Sequence, residues 1–314
     1  MGRLLIFSAV WLLMIVLFSS DVRGGVVVEG VQPHVAHPNM RHTGEMPHVS
    51  GLADISFSDE INARILGVYE SLELLALSLD AFRLDFDFDY VSDGANHFIK
   101  IYAVIEAAGE SRLVETIGFD AQEGAFLTPE DFLGANATEL ANLHISAHMR
   151  QNPGLFNSEF GGLAPNPGFY AADGHVIFLF DQSEIAPARH GITRIDMHTD
   201  LVRNVSFADD DYITVTDFMV KMVPLRKAAE ELGFAVEWNP DDNSAKITGG
   251  SVETRIFIDR NAYDVPGRPG NTELEAAPLL HGGLTFVPVS FFDAVLGARH
   301  STDDQGVVTI SIYS

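Results

Sequence analysis

Two short stretches, Met222-Val223-Pro224-Leu225-Arg226 and Phe286-Val287-Pro288-Val289-Ser290, decide the fold of the last third of the chain. Each precedes a helical pattern that closes on a Leu-Gly pair, Leu232-Gly233 in one case and Leu296-Gly297 in the other, and corresponding residues lie 64 positions apart. Pro is suited to the first turn of a helix and Gly to a residue at positive φ just beyond it. Each copy is followed by a hairpin pattern, so the repeat predicts two strand–helix–hairpin units.

Such units predict a small α+β module of about 100 residues. Further upstream, apolar residues from Ile61 to Leu79 recur at helical spacing, with Ser58 as the expected N-cap. Residues 83–90 then alternate with period two, which predicts a strand whose wet face carries Asp85, Asp87 and Asp89. The middle of the chain is therefore also predicted to be α+β.

We predict two modules, over residues 54–203 and 213–314. Residues 204–212 contain three consecutive Asp residues and are predicted to be a linker between the modules. Residues 25–53, which hold three Pro and four His with little periodicity, are predicted to be a second linker.

The N-terminus has the pattern of a secretory signal. Arg3 is followed by an apolar run from Leu4 to Phe18, and cleavage before Gly25 would remove residues 1–24. The run is short for a membrane span, which needs about 20 apolar residues. We expect a secreted protein or one of the extracellular cell envelope. It would contact a membrane only if this segment stays uncleaved as an anchor.

Composition narrows the function classes. The 314 residues carry a net charge of −25 and no Cys, so disulfides, thiolate metal sites and a cysteine nucleophile are excluded. No basic patch is visible, which excludes a nucleic-acid footprint. No GxSxG, P-loop or GxGxxG motif occurs, and no catalytic residue is predicted.

Histidines were the candidates for a metal site. His144 and His148 share one face of a predicted helix, but Ile145 stands where a zincin needs Glu. His34, His37, His42 and His48 cluster with two Met residues, a set that binds copper or zinc in other settings. We predict no metal and no cofactor, and whether the N-terminal cluster holds a metal stays open.

One series of motifs covers roughly residues 211–312 and spans both halves of the repeat in order. It consists of Ile213-Thr214-Val215, Val223-Pro224-Leu225-Arg226, Glu231-Leu232-Gly233, Val236-Glu237-Trp238, Thr254-Arg255-Ile256-Phe257-Ile258 and Thr285-Phe286-Val287-Pro288-Val289. The series resembles the copper amine oxidase N-terminal-like domain, a stalk module of exported bacterial proteins. In that family the module is not the oxidase, so the resemblance implies no amine oxidase activity.

Another series lies within roughly residues 54–203. It consists of Glu115-Thr116-Ile117-Gly118-Phe119-Asp120, Leu127-Thr128-Pro129-Glu130-Asp131-Phe132, Val176-Ile177-Phe178-Leu179-Phe180 and Glu184-Ile185-Ala186-Pro187. This region resembles the DUF3298 domain, often paired with DUF4163, of RsiV-like envelope sensors. Such sensors bind lysozyme, so the resemblance implies a domain that recognises a protein.

We therefore predict a bacterial cell-envelope protein with a non-catalytic binding or scaffolding role. The expected partner is a cationic protein such as lysozyme, or a cell-wall polymer, since the acidic chain attracts basic surfaces. Specific affinity also needs apolar anchors, and the candidates in or beside the loop 152–168 are Phe156, Phe160, Phe169 and Tyr170. The alternative is a cell-wall-active hydrolase with an unrecognised site in residues 54–203.

Overall fold

The computed structural model describes residues 20–23, 25–32, 40–107, 110–157, 160–215, 219–250, 252–265 and 270–313. Most of the predicted signal segment lies outside them. Among the helices of the described residues, none is long and apolar enough to cross a membrane. The chain divides into two compact units: the first holds Met1–Leu127 and Leu179–Thr193, and the second holds Thr128–Phe178 and Arg194–Ser314.

The elements of the first unit are β1 (Ser20–Arg23), β2 (Val26–Val31), β3 (Arg41–Gly44), β4 (Met46–Ser50), α1 (Ile55–Ser78), β5 (Arg83–Asp93), β6 (Asn96–Glu106), β7 (Glu110–Asp120) and β8 (Ala125–Phe126). After these come α2 (Glu130–Leu133), α3 (Ala137–Gln151), β9 (Gly168–Ala172), β10 (His175–Phe180), β11 (Thr193–His198) and β12 (Val202–Phe207). The last part contains β13 (Ile213–Val215), β14 (Val220–Pro224), α4 (Leu225–Glu231), β15 (Ala235–Asn239), β16 (Ser244–Gly249), β17 (Val252–Phe257), β18 (Tyr263–Asp264), β19 (Asn271–Thr272), β20 (Leu279–His281), β21 (Leu284–Pro288), α5 (Ser290–Leu296), β22 (Arg299–Thr302) and β23 (Val308–Tyr313). Strands and helices mix throughout, in agreement with the predicted α+β class.

In the first unit, α1 packs on a five-stranded sheet of order β3-β5-β6-β7-β8. Its buried stripe follows the helical spacing predicted from the sequence and includes Ile61, Ile65 and Leu72. The helix begins earlier than predicted, because Asp54 and not Ser58 is the N-cap: the Asp54 carboxylate accepts the backbone N–H of Ser56 at 2.9 Å. Ser58 lies inside the helix and is buried.

The predicted linker over residues 25–53 is mostly strand. β2 pairs antiparallel with β4, and Pro47 lies opposite Gly30 in that ladder. Val26, Val28 and Val49 are buried against the core of the first unit. Pro47 and the histidines suggested irregular structure, but burial of alternate Val side chains on one face stabilises the pairing.

The second unit ends in a module with internal two-fold character. In its four-stranded sheet of order β13-β14-β21-β20, the central pair places Val223 opposite Val287, its own counterpart in the repeat. The predicted left-handed Gly residues are confirmed, with φ of 92° at Gly233 and 74° at Gly297. The two Pro residues differ from the prediction: Pro224 and Pro288 are the last residues of β14 and β21 rather than part of the first helical turn.

The hairpin of each half gains a third strand from a different place in the chain. β16 pairs with β17, which follows it directly, whereas the equivalent β23 pairs with β12, which precedes the whole repeat. Phe257 lies opposite Ser244, and Phe207 lies opposite Val308 at the same position of the other ladder. The second half is thus completed by a strand about a hundred residues upstream.

Residues 204–207 of the predicted linker therefore belong to a sheet. Val205 and Phe207 are buried in the core of the module. The Asp run that follows is also tied to the module, since the Tyr212 hydroxyl donates to the Gly306 carbonyl oxygen at 3.1 Å. The local sequence did not predict this strand, because its apolar residues Val202, Val205 and Phe207 do not alternate regularly and its partner strand lies far along the chain.

Candidate binding site

Helix α3 supports the predicted aromatic region. Its buried side chains, Leu140, Ala141, Ile145 and Met149 among them, recur at spacings of three and four and pack into the second unit. Just before it, the buried Asn136 side chain donates to the Ser311 hydroxyl at 2.8 Å, an N-terminal link to β23. The helix is therefore a rigid base for the loop that follows it.

Residues of that loop and of the end of α3 line a cavity of 570 Å³ that is half open to solvent. Phe156 and Phe160 are both half-buried and both line it. The other lining residues are Ser146, Met149, Arg150, Pro153, Asn157 and Gly161. The walls thus combine aromatic and thioether surface with one cation, a chemistry suited to holding an apolar or aromatic side chain.

The four predicted aromatic residues do not form one site. Phe169 is only 5% exposed, and its ring contacts those of Phe132 and Phe178 with centroids 6.3 and 6.5 Å away. Its prediction as an exposed anchor is wrong, because on β9 its side chain alternates into the core. Tyr170 is the next residue of the strand, is half-buried, and does not line the α3 cavity.

His144 and His148 lie beside this region, with ring centroids 6.4 Å apart. His144 Nε2 is 2.8 Å from the carbonyl oxygen of Asp196, and its ring packs edge-on against Tyr313. Burial lowers the pKa of His144, with the hydrogen bond to Asp196 opposing that shift. These contacts are those of packed histidines, and no three ligating side chains converge on a metal site anywhere in the described ranges.

Two of the four N-terminal histidines can be followed in the structure, since His34 and His37 lie outside the described residues. His42 Nδ1 is 2.6 Å from the Tyr69 hydroxyl, and His42 Nε2 is 3.3 Å from a Glu73 carboxylate oxygen. Burial, followed by the nearby Glu73 charge, raises the pKa of Tyr69 above its usual range. His42 thus joins β3 to α1 as a buried polar contact.

Asp181, in the first unit, is an acidic group whose pKa departs clearly from its ordinary value. Burial raises its pKa to about 6, and the neighbouring carboxylates of Glu184 and Glu115 act in the same direction. Its carboxylate accepts the backbone N–H of Val114 at 2.7 Å, while Arg112 N–H donates to the Gln182 side chain at 2.9 Å. The chain at 181–182 therefore covers the edge of β7, a structural use of the carboxylate that sequence reasoning did not foresee.

The C-terminal module is similar to a known protein family. Residues 215–311 match the family model described as the copper amine oxidase N-terminal domain. The resemblance predicted for the C-terminal module is thereby confirmed. The match covers both halves of the repeat, from β13 to β23.

A curated relative is named "Protease inhibitor", from Brevibacillus choshinensis. It is 35% identical over 89 residues, which is 28% of this chain and 27% of that protein. The chain thus matches about a quarter of the relative's length, and the relative's activity does not pass to it by similarity alone.

Two solved structures similar to the chain are DUF3298 proteins, the family named above from the middle region. One, from Bacteroides fragilis, shares 12% identity with a TM-score of 0.40 and covers 57% of this chain and 92% of its own. The other, from Pseudomonas aeruginosa, shares 13% identity with a TM-score of 0.31 and covers 38% and 59%.

Proposed function

We propose that this chain is an exported cell-envelope protein that binds another protein without catalysing a reaction. The observation that carries the proposal is the cavity on α3, where Phe156 and Phe160 line a space of 570 Å³. A cavity of this size accommodates the apolar side chains of a protein partner. The relative named as a protease inhibitor supports a binding role of the same general kind.

The partner proposed is a cationic protein, with lysozyme as the first to test. A chain of charge −25 accelerates encounter with basic proteins and disfavours acidic ones. Charge by itself gives little specific affinity, because exposed ion pairs contribute about 0–1 kcal/mol each and are screened by salt. Phe156 and Phe160 supply the apolar contact that survives screening.

The test is calorimetric titration of the full chain with lysozyme, at low salt and at near-molar salt. We expect binding to persist at high salt and Phe156→Ala to weaken it by about tenfold, as truncation of a contact aromatic does. Leu155→Ala is the matched control, since Leu155 is half exposed and does not line the cavity. Binding that disappears with salt, or that responds equally to both variants, contradicts the proposal.

A second candidate, inhibition of a protease, is favoured by the name of the curated relative. The measurement is residual activity of a trypsin-like and a subtilisin-like protease after incubation with equimolar chain. Stoichiometric loss of activity with the chain left intact would favour this candidate. Unchanged protease activity together with lysozyme binding would favour the first.

A further inference from the structure

The repeat builds two equivalent grooves in the C-terminal module. The first, here called the Trp238 groove, has a volume of 280 Å³ and is lined by Leu225, Arg226, Val236, Trp238, Leu280 and Leu284, among others. The second, called the His300 groove, has a volume of 320 Å³ and is lined by Val220, Lys221, Glu275, Ser290, His300 and Thr302, among others. Many residues that line the first groove lie 64 positions, the repeat length, before or after residues that line the second. The counterparts are Leu225 and Val289, Arg226 and Ser290, Val236 and His300, Trp238 and Thr302, and Leu284 and Val220.

The His300 groove contains polar groups that satisfy one another. The Ser290 hydroxyl donates to the Glu275 carboxylate, and His300 Nδ1 lies 2.5 Å from an Asp293 carboxylate oxygen. Lys221 at the same groove donates through Nζ to the Gly306 carbonyl oxygen at 3.0 Å. Water and internal hydrogen bonds suit the polar part of this surface, and the apolar side chain of Met219, which is 77% exposed, also lines it.

The Trp238 groove is more apolar. Trp238 is 37% exposed, Leu280 56% and Leu284 54%, so three large apolar side chains around one groove are open to solvent. The His300 groove exposes one such side chain, Met219, and the core of the module buries others. A concentrated apolar surface of this kind marks an interaction site, because leaving it in water costs free energy that burial would recover.

The negative charge of the chain favours one class of partner for this groove over others. The elements next to the groove also carry exposed carboxylates, among them Glu231 at the end of α4 and Asp241 in the turn after β15. Arg226, which lines the groove, is paired with Glu230 at 2.9 Å. A second copy of this chain would bring the same net charge of −25 and be repelled. The surface favours a basic partner with an apolar anchor.

We propose that the Trp238 groove is a docking site for a basic protein segment, which inserts an apolar or aromatic side chain beside Trp238, Leu280 and Leu284. This site is independent of the α3 cavity. The net negative charge of the chain attracts the segment and restricts the choice of partner, while burial of the three apolar side chains supplies affinity that salt does not remove.

The chain itself provides the probe. It contains two Trp residues, Trp11 and Trp238, so the full chain with Trp11→Phe reports on the groove through tryptophan emission. The ligands are three synthetic peptides of equal length that alternate Lys with Phe, Lys with Ser, or Glu with Phe. We expect only the Lys-Phe peptide to shift Trp238 emission to shorter wavelength, with at least about tenfold tighter binding than the other two.

Two variants test the residues by calorimetry in the full chain. Trp238→Thr installs the residue of the other groove, and Leu280→Ser removes a second exposed anchor; each should weaken Lys-Phe binding by about tenfold. Thr302→Ala in the His300 groove is the control and should leave binding unchanged. Equal binding by Trp238→Thr, equal binding of the Lys-Ser peptide, or equal binding of the Glu-Phe peptide overturns the proposal. A shift in emission that depends on protein concentration without peptide identifies a second copy as the occupant and also overturns it.

Discussion

The two halves of the C-terminal module share a backbone plan but differ in what they bury and what they expose. Val223 and Val287 face each other at the centre, both left-handed Gly residues are kept, and β16 and β23 occupy equivalent positions. Around this frame, one groove exposes three large apolar side chains, and the other combines internally hydrogen-bonded polar groups with one exposed apolar side chain, that of Met219. The comparison teaches that a few apolar, Pro and Gly positions maintain the fold, while the surface positions between them are free to diverge.

The largest expected effect concerns Phe291 and its counterpart Lys227. Phe291 is fully buried and its ring contacts Tyr263, whereas Lys227 is exposed and lies 3.7 Å from the Asp211 carboxylate. Phe291→Ala should lower the free energy of unfolding by about 3–5 kcal/mol because it leaves a cavity. Lys227→Ala should cost about 1 kcal/mol or less, since exposed pairs contribute little. Urea unfolding of both variants measures the difference, and similar losses would show that the two helices are packed alike.

An intermediate effect tests the borrowed strand. Phe207 on β12 and Phe257 on β17 hold the same ladder position in the two halves, but Phe207 is fully buried and Phe257 is half-buried. We expect Phe207→Ala to destabilise the chain by about 3 kcal/mol and Phe257→Ala by roughly half as much. The measurement is again urea unfolding. If Phe207→Ala left stability unchanged, β12 would be dispensable and the predicted linker at 204–212 would be restored.

The smallest effect is a pH dependence that involves His300, whose counterpart in the other half is Val236. The hydrogen bond that His300 donates to the Asp293 carboxylate raises the pKa of His300, and Glu275 adds to the shift while burial opposes it. A His whose pKa is raised in the folded state stabilises the fold fully below its unfolded value near 6.5, and this stabilisation is lost as the pH rises through the folded pKa. Because both side chains are partly exposed, we expect at most about 1 kcal/mol.

The variant for this test is His300→Val, which installs the residue of the other half. Wild type should be more stable than the variant at pH 5.5, and the gap in unfolding free energy should narrow by pH 9. A gap that stays constant across this range would mean that packing, not the charge on His300, accounts for the difference.

Local patterns predicted most elements correctly. The helical spacing from Ile61 onward and the alternation of residues 83–90 appear as α1 and β5, because each pattern matches the periodicity of the face that its element buries. The predictions of secondary structure were wrong where pairing between strands distant in the sequence determined the fold. β2 and β4 lie in residues predicted to be a linker. Their alternate buried Val residues are typical of strands, but the Pro and His residues nearby favoured the prediction of irregular structure.

The candidate sites show the same division. Sequence reasoning named Phe156 and Phe160, which line the α3 cavity, but also named Phe169, which is core. All three are aromatic residues near one irregular stretch, and nothing local separates them. The Trp238 groove was missed, because Trp238 and Leu280 lie 42 positions apart in the sequence, on strands of two different sheets that only the tertiary structure brings together.

By itself the sequence determined the acidic charge, the absence of Cys, the internal repeat, the α+β class and the resemblance of the C-terminal module. These depend on composition, on spacing and on residues close together in the chain. Tertiary structure alone decided that β12 completes the second half, that Phe169 turns inward, and that the repeat forms two grooves that differ in polarity. The physical reason is that burial and strand pairing reward contacts between distant residues, and no local pattern records which distant residues will meet.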